Sequence, residues 1–335
     1  MKNNRTFRIK IYFGILFVML VVNFISGLAF GSVSIPVREV LDVILGKDTS
    51  SRTALIILTV RLPRVIAGLM AGAGLGTAGV ILQGVMNNSL ASPNTIGVNS
   101  GAGFFVMLSM LIFPQNLFLK SVMAFTGALF TSILILLLAY MAEKSRVTIV
   151  LAGITVSSFL SAGMNTIKII DTDLNVNAMH FMIGSLSGVT MKAVIYPSIG
   201  ISVTILIAAL LGKALNILAL GDGVASSLGL QVNLFRIIFV VLSSILAGLV
   251  VSFCGLIGFV GLIVPHICRY FFGHDARLLI PASALMGASF VLISDLLGRV
   301  IFAPYELPAG IILSLAGAPF FLYLLMRKGG RRVNA

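Results

Sequence analysis

Ten apolar runs, most of them about twenty residues long, recur along this 335-residue chain and hold almost no charge. A bilayer core is crossed by about 20 residues of α-helix. The runs therefore predict a polytopic, all-α membrane protein with ten crossings. They cover roughly 11–30, 62–82, 96–113, 119–140, 147–167, 193–211, 234–253, 259–272, 278–302 and 307–326. The run from 259 is short. Composition agrees: 59% of residues are hydrophobic and 10% charged, against about 25% charged in a soluble domain. A secreted or cytosolic enzyme, a coiled coil and a disordered chain are excluded.

The net charge of +13 does not indicate nucleic-acid binding, because basic residues of a membrane protein collect at cytoplasmic helix ends. Lys2, Arg5, Arg8 and Lys10 at the start, and Arg327, Lys328, Arg331 and Arg332 at the end, place both termini inside. That agrees with an even number of crossings. The inner side then also holds Lys144, Arg146, Lys213, Arg236, Arg269 and Arg277, with Glu143, Asp222 and Asp275 as its acids. Against the rule, the first outer loop holds Arg38, Lys47, Arg52, Arg61 and Arg64. The same loop predicts a short interfacial helix, started by Ser34 and Pro36, striped by Val40, Leu41 and Ile44, and ended by Gly46. Gly27-Leu28-Ala29 faintly resembles a cleavage site after the first run; the run is read as a retained first helix.

Gly68, Gly72 and Gly76 repeat at four-residue spacing in the second run, which points to close helix packing rather than a phosphate cradle. Breakers at membrane depth (Gly255, Gly258, Gly261 and Pro265; Gly310, Gly317 and Pro319) predict interrupted helices buried in protein. Cys254 and Cys268 read as small core residues. There is no phosphate-binding loop, since Gly212-Lys213 is followed by Ala214, so the chain is not expected to hydrolyse ATP. No H-E-x-x-H or G-x-S-x-G occurs, and His180, His266 and His274 lack metal-ligand spacing. No metal, cofactor or catalytic residue is predicted. His266 reads as a packing or capping residue beside Arg269 at a cytoplasmic helix end. Self-powered transporters keep acids inside their helices; here the exception is Asp295, with Arg299 one turn on as an i,i+4 partner. A secondary transporter and an intramembrane enzyme are therefore both disfavoured.

Two inner segments read as docking surfaces. Residues 214–232 form one or two short, apolar, almost uncharged helices. Asp222 is a candidate cap for the amides of Val224 or Ala225, and Gly229 a terminator. The alternative is a helix lying on the membrane surface. Residues 83–94 are uncharged and rich in amide side chains.

With these features the chain resembles the FecCD family, the iron-siderophore, haem and vitamin B12 importer permeases of the ABC superfamily. Its markers are Arg61-Leu62-Pro63-Arg64, Gln83 with Asn87-Asn88-Ser89-Leu90-Ala91, Gly97 with Ser100-Gly101-Ala102, and Gly184-Ser185-Leu186. They continue as Ala219-Leu220-Gly221-Asp222, Gly258-Phe259-Val260-Gly261-Leu262, Pro265-His266-Ile267 with Arg269, Glu306-Leu307-Pro308 with Gly310, and Gly317-Ala318-Pro319-Phe320. The resemblance implies one transmembrane permease domain over 1–335, of type II ABC importer architecture, in the bacterial cytoplasmic membrane. It implies a second permease subunit, identical or different, a cytoplasmic ABC ATPase dimer that binds the ATP, and an extracytoplasmic substrate-binding (lipo)protein. Ferric siderophore is the expected cargo, with haem or vitamin B12 as alternatives. Leu218, Ala219, Leu220, Gly221, Asp222, Gly223, Val224, Ala225, Leu228 and Gly229 match the segment that couples to the ATPase. Arg61, Arg64 and Arg299 match outer arginines that dock the binding protein; anchoring of a helix end, or service to Asp295 alone, are the competing roles. Departures are Gly223 where Glu is common, Ser226 for a basic residue, Phe181 for Trp, and Leu256 for Pro.

Overall fold

A backbone amide left unpaired in hydrocarbon costs several kcal/mol, so a chain this apolar closes its bonds within helices. All regular elements among the described residues of the computed structural model are helical. Those residues are 2–31, 33–114, 116–141, 146–171 and 173–329. Glu143, Lys144, Arg331 and Arg332 lie outside them.

The apolar runs become α1 (Lys2–Ala29), α4 (Leu62–Val85), α5 (Val98–Ile112), α6 (Leu117–Met141), α7 (Arg146–Ile170), α9 (Met191–Leu210), α12 (Val232–Cys254), α13 (Val260–Phe272), α14 (Ala276–Val300) and α15 (Ala309–Gly329). Between them stand α2 (Val37–Ile44), α3 (Arg52–Ile56), α8 (Asp173–Ile183), α10 (Gly212–Leu218) and α11 (Asp222–Ser227). Among the described residues seven helices are long and apolar enough to cross a membrane; 98–112, 260–272 and 309–323 are apolar but shorter. The ten expected crossings, of which the sequence marks only the run from 259 as short, thus become seven long spans and three short helices among the described residues, each short one preceded by a break. Gly97 and Phe259 adopt left-handed φ of 72° and 65° at the starts of α5 and α13, and Pro308 precedes α15. Leu28 and Ala29, at the end of the first run, are fully buried against the bundle.

The central helix is α4. Its hydropathic stretch is 83% buried, and the glycine ladder explains how. A Cβ on Gly72 would fall onto the carbonyl of Gly287, one on Gly76 onto that of Ser283, and one on Gly79 onto that of Gly261. Only glycine lets α4 lie this close to α14 and α13. The obstacle in each case is backbone, which cannot rotate away. Gly79→Ala is therefore expected to lower stability by about 3 kcal/mol, the upper end for overpacking. Gly14→Ala, with nothing within 4 Å of the added methyl, should change it by less than about 0.5 kcal/mol. Melting curves in detergent check the pair; equal midpoints would contradict the close approach.

In the first loop the buried stripe of α2 is Val40 and Val43, whereas Leu41 and Ile44 face outward. Gly46 closes the helix at φ 72° with the paired bonds of a Schellman end, Gly46 N to Val43 O and Lys47 N to Asp42 O. Helix α3 runs into α4 through a π-helical turn, Ile57–Arg61, a device that inserts an extra residue and re-aims the side chains after it.

Candidate functional site: an arginine knot, a broken-helix junction and an exposed helix pair

That π turn delivers Arg61 and Arg64 into the bundle. Arg64 binds both oxygens of Asp295 on α14 at 3.0–3.1 Å and donates from Nη1 to Glu306 Oε2 at 2.6 Å. Arg299 completes the i,i+4 pair with Asp295 at 3.1 Å and donates to the carbonyls of Gly27 and Phe30. Arg61 donates to the carbonyls of Leu28, Ala29 and Val33. The free carbonyls at the end of α1 carry partial negative charge, so they balance the cations that two carboxylates do not. One polar knot thus ties α1, α4, α14 and the segment before α15.

The three arginines expected to dock a binding protein are turned into the chain. Arg61, Arg64 and Arg299 are 6%, 6% and 3% exposed, and all three are engaged inside the chain. None reaches outward from a helix end. The single intramembrane acid noted in the sequence, Asp295, is paired with two arginines, Arg64 and Arg299, the arrangement of a structural lock. The free surface at this end of the bundle includes Ile301, Phe302 and Tyr305, which are 58%, 53% and 79% exposed.

Below the knot three helix breaks are stitched together. Ser185 N donates to Cys254 O, Leu256 N to Phe181 O, Gly310 N to Gly184 O and Leu307 N to Gly298 O, at 2.9–3.0 Å. Non-helical backbone is thereby paired where water is scarce. A Cβ on Gly255 would strike the Phe181 carbonyl, and one on Gly310 that of Ile183. The markers around 184–186, 258–262 and 306–310, far apart in sequence, meet here.

Two grooves open beside this junction and share Asn94. One, of about 600 Å³, runs along α7 past Ser157, Ser158, Ser161 and Asn165. The other, of about 610 Å³, passes Asn99, Met182, Gly258, Phe259 and Ser314. No charged residue lines either among the described residues. His266 lies in the middle of α13, not at its end, and packs edge-on to Phe320 of α15 with ring centroids 5.8 Å apart. Cys254 and Cys268 are buried free thiols.

At the opposite end, residues 214–232 form two short helices, α10 and α11. Asp222 does not cap α11: it is the first residue of that helix, its carboxylate receives Arg236 Nη2 at 2.6 Å, and the Ala225 amide donates to Gly221 O. Gly229, at φ 80°, closes α11 through Gly229 N to Ser226 O and Leu230 N to Ala225 O, a Schellman end. On α10, Asn216 donates to Asp275 Oδ1 and accepts from the Ala276 amide, both at 2.7 Å. Arg277 first, then Asn216, hold the Asp275 carboxyl well below the usual carboxylate range, against the opposing effect of burial. Its contribution is therefore complete above the pH at which a free aspartate ionises. It fades only in strong acid, as pH falls through the depressed value.

These tethers leave a defined outer face. Leu218 and Ala225 point inward at 0% exposure, whereas Leu220, Val224 and Leu228 are 61%, 51% and 59% exposed. Val224 and Leu228, four residues apart on α11 and its C-cap, share one apolar face, and Leu220 stands in the turn before Gly221 breaks the backbone at φ 107°. Ala219 borders a cavity of about 320 Å³ with Asn87, Asn88 and Ser89, so the amide-rich segment lies beside α10. Gln83 is turned inward, bound to Gly261 O and Arg269. Gly223 is exposed with nothing within 4 Å; nothing in the structure excludes a glutamate there.

An all-helical bundle with stitched helix breaks and a braced, exposed helix pair is the architecture of type II ABC importer permeases. The chain superposes on a solved metal-chelate type ABC transporter in an inward-facing conformation with TM-score 0.83, at 30% identity over 95% of this chain and 98% of that one. The model of the FecCD transport family matches residues 19–327, and the chain belongs to that family. It is 39% identical over 313 residues to the Fe(3+)-citrate import system permease protein YfmE of Bacillus subtilis, covering 93% of each. It is 34% identical over 331 residues to the hemin transport system permease protein HmuU of Yersinia pestis, covering 96% of this chain and 97% of that one.

Proposed function

We propose that this chain forms half of the translocation pathway of an ATP-driven importer of ferric siderophores, paired with a second permease subunit. The observation that carries this reading is the pair of uncharged grooves meeting at Asn94, lined by apolar side chains such as Ile154, Leu256 and Phe259 with hydroxyls and amides among them. Such walls let a bulky chelate slide without trapping it. An external binding protein then sets selectivity, and a separate ATPase below supplies the work. The orientation follows the charge pattern: termini and α10–α11 in the cytoplasm, the arginine knot outside.

The exposed side chains of Leu220, Val224 and Leu228 are the surface offered to the ATPase. At the outer end the binding protein meets Ile301, Phe302 and Tyr305, and Arg61, Arg64 and Arg299 act by holding that surface in shape. Iron-chelate relatives favour siderophore; the haemin relative defines the competitor. Uptake of radio-iron from defined siderophores, and of haem, is compared in a deletion strain. Loss of siderophore-iron uptake with haem uptake intact is expected. Intact siderophore uptake with loss of haem uptake would transfer the function to haem.

A further inference from the structure

A third cavity lies away from the grooves, between α6, α8, α9 and α12, at the same end as the arginine knot. Its volume is about 620 Å³, within the range of specific ligand sites. Lys120, Lys192 and His180 line it, and no carboxylate does. Lys120 Nζ sits 5.3 Å from the Phe181 ring centroid, a cation–π contact that holds the ammonium over the cavity wall. Neither lysine has a carboxylate within ion-pair distance among the described residues. The walls are aromatic (Phe125, Phe181, Phe253 and Tyr196) and the floor has the hydroxyls of Ser185 and Ser252. Pro197, inside α9, leaves the Ala193 carbonyl without its ordinary i+4 donor, and both residues border the cavity.

The occupant therefore needs an anionic group, hydroxyl donors and an apolar body. Exposed apolar side chains stand on two of the same helices, Phe130 and Ile133 on α6 and Ile195 and Ile199 on α9, 48–58% exposed, and both helices are long and apolar enough to cross a bilayer. We infer that this cavity is a binding site for an anionic phospholipid with a hydroxyl-bearing phosphodiester head, of the phosphatidylglycerol type. The phosphate lies between Lys120 and Lys192, the head hydroxyls reach the Ala193 carbonyl, and one acyl chain lies along the aromatic wall. A pair of ammonium groups holds a phosphate through short charge-assisted hydrogen bonds.

The test uses the full-length protein in mild detergent, doped with phosphatidylglycerol or phosphatidylcholine and read by native mass spectrometry. The wild type should retain one phosphatidylglycerol roughly tenfold more than phosphatidylcholine. Lys120→Gln with Lys192→Gln should remove that preference, whereas Lys47→Gln with Arg52→Gln, equal in charge but remote, should keep it. Ala193→Phe, which fills the cavity and leaves both lysines, should also lose the bound lipid. Equal retention of the two lipids, or unchanged retention in the cavity variants, overturns the proposal. Displacement by water-soluble glycerophosphoglycerol overturns it as a lipid site and makes it a site for free phosphodiesters.

Discussion

Arg64→Ala is expected to destabilise the folded bundle by about 3–5 kcal/mol, the cost of leaving a buried charge without its partner. Asp295 is 2% exposed and would keep only Arg299, while Glu306 would lose its bond to Arg64. Four separate segments of the chain converge on this one guanidinium and its neighbours, so the loss should appear as a lowered melting midpoint in detergent. Removing both charges with apolar residues of similar size, as in Arg64→Met with Asp295→Leu, should recover part of it. A single Arg64→Ala variant that melts with the wild type would contradict the knot as a structural lock. The converse experiment separates roles. If Arg64→Lys keeps the fold, transport should also persist, because the residue acts on the shape of the outer surface rather than as its point of contact.

Leu220→Asp together with Val224→Asp is expected to abolish stimulated ATP turnover and transport while leaving the permease folded. Both side chains point away from the chain, so their replacement costs little internally. On a partner's apolar groove, two buried and unpaired carboxylates would cost several kcal/mol, enough to lower occupancy a hundredfold or more. Ala225 serves differently. It is fully buried, so a charged residue there would break the α10–α11 support, and its phenotype could not be read as a docking defect. ATPase stimulation by the reconstituted complex is the readout; normal stimulation in the double variant would mean that these side chains are not the coupling surface.

The contrast between these two sites shows what sequence reasoning could reach. The apolar runs, the glycine ladder and the local Asp295–Arg299 pair are short-range patterns, and each is present in the fold. Arg64 and Asp295 are 231 positions apart, so no spacing rule could join them, and the carbonyls ending α1 left no mark at all in the sequence. The outer arginines therefore read as misplaced positive charge on a rim, when burial and internal acceptors account for it. The helix breaks were legible from their glycines, but not that 184–186, 254–259 and 307–310 bond to one another. Helix α8 was missed because its polar start, Asp173 to Asn177, reads like a loop. Asp222 read as a cap because its position at a short helix fits that role equally well; Arg236, fourteen residues later, decides between them.

In the proposed importer this chain conducts and a separate ATPase drives. The most direct measurement reconstitutes it in liposomes with labelled ferric siderophore, with and without its ATPase, binding protein and ATP. Accumulation against the gradient is expected only when the ATPase and its nucleotide are present, and should vanish with Leu220→Asp and Val224→Asp. Uphill accumulation by the permease alone would contradict the account.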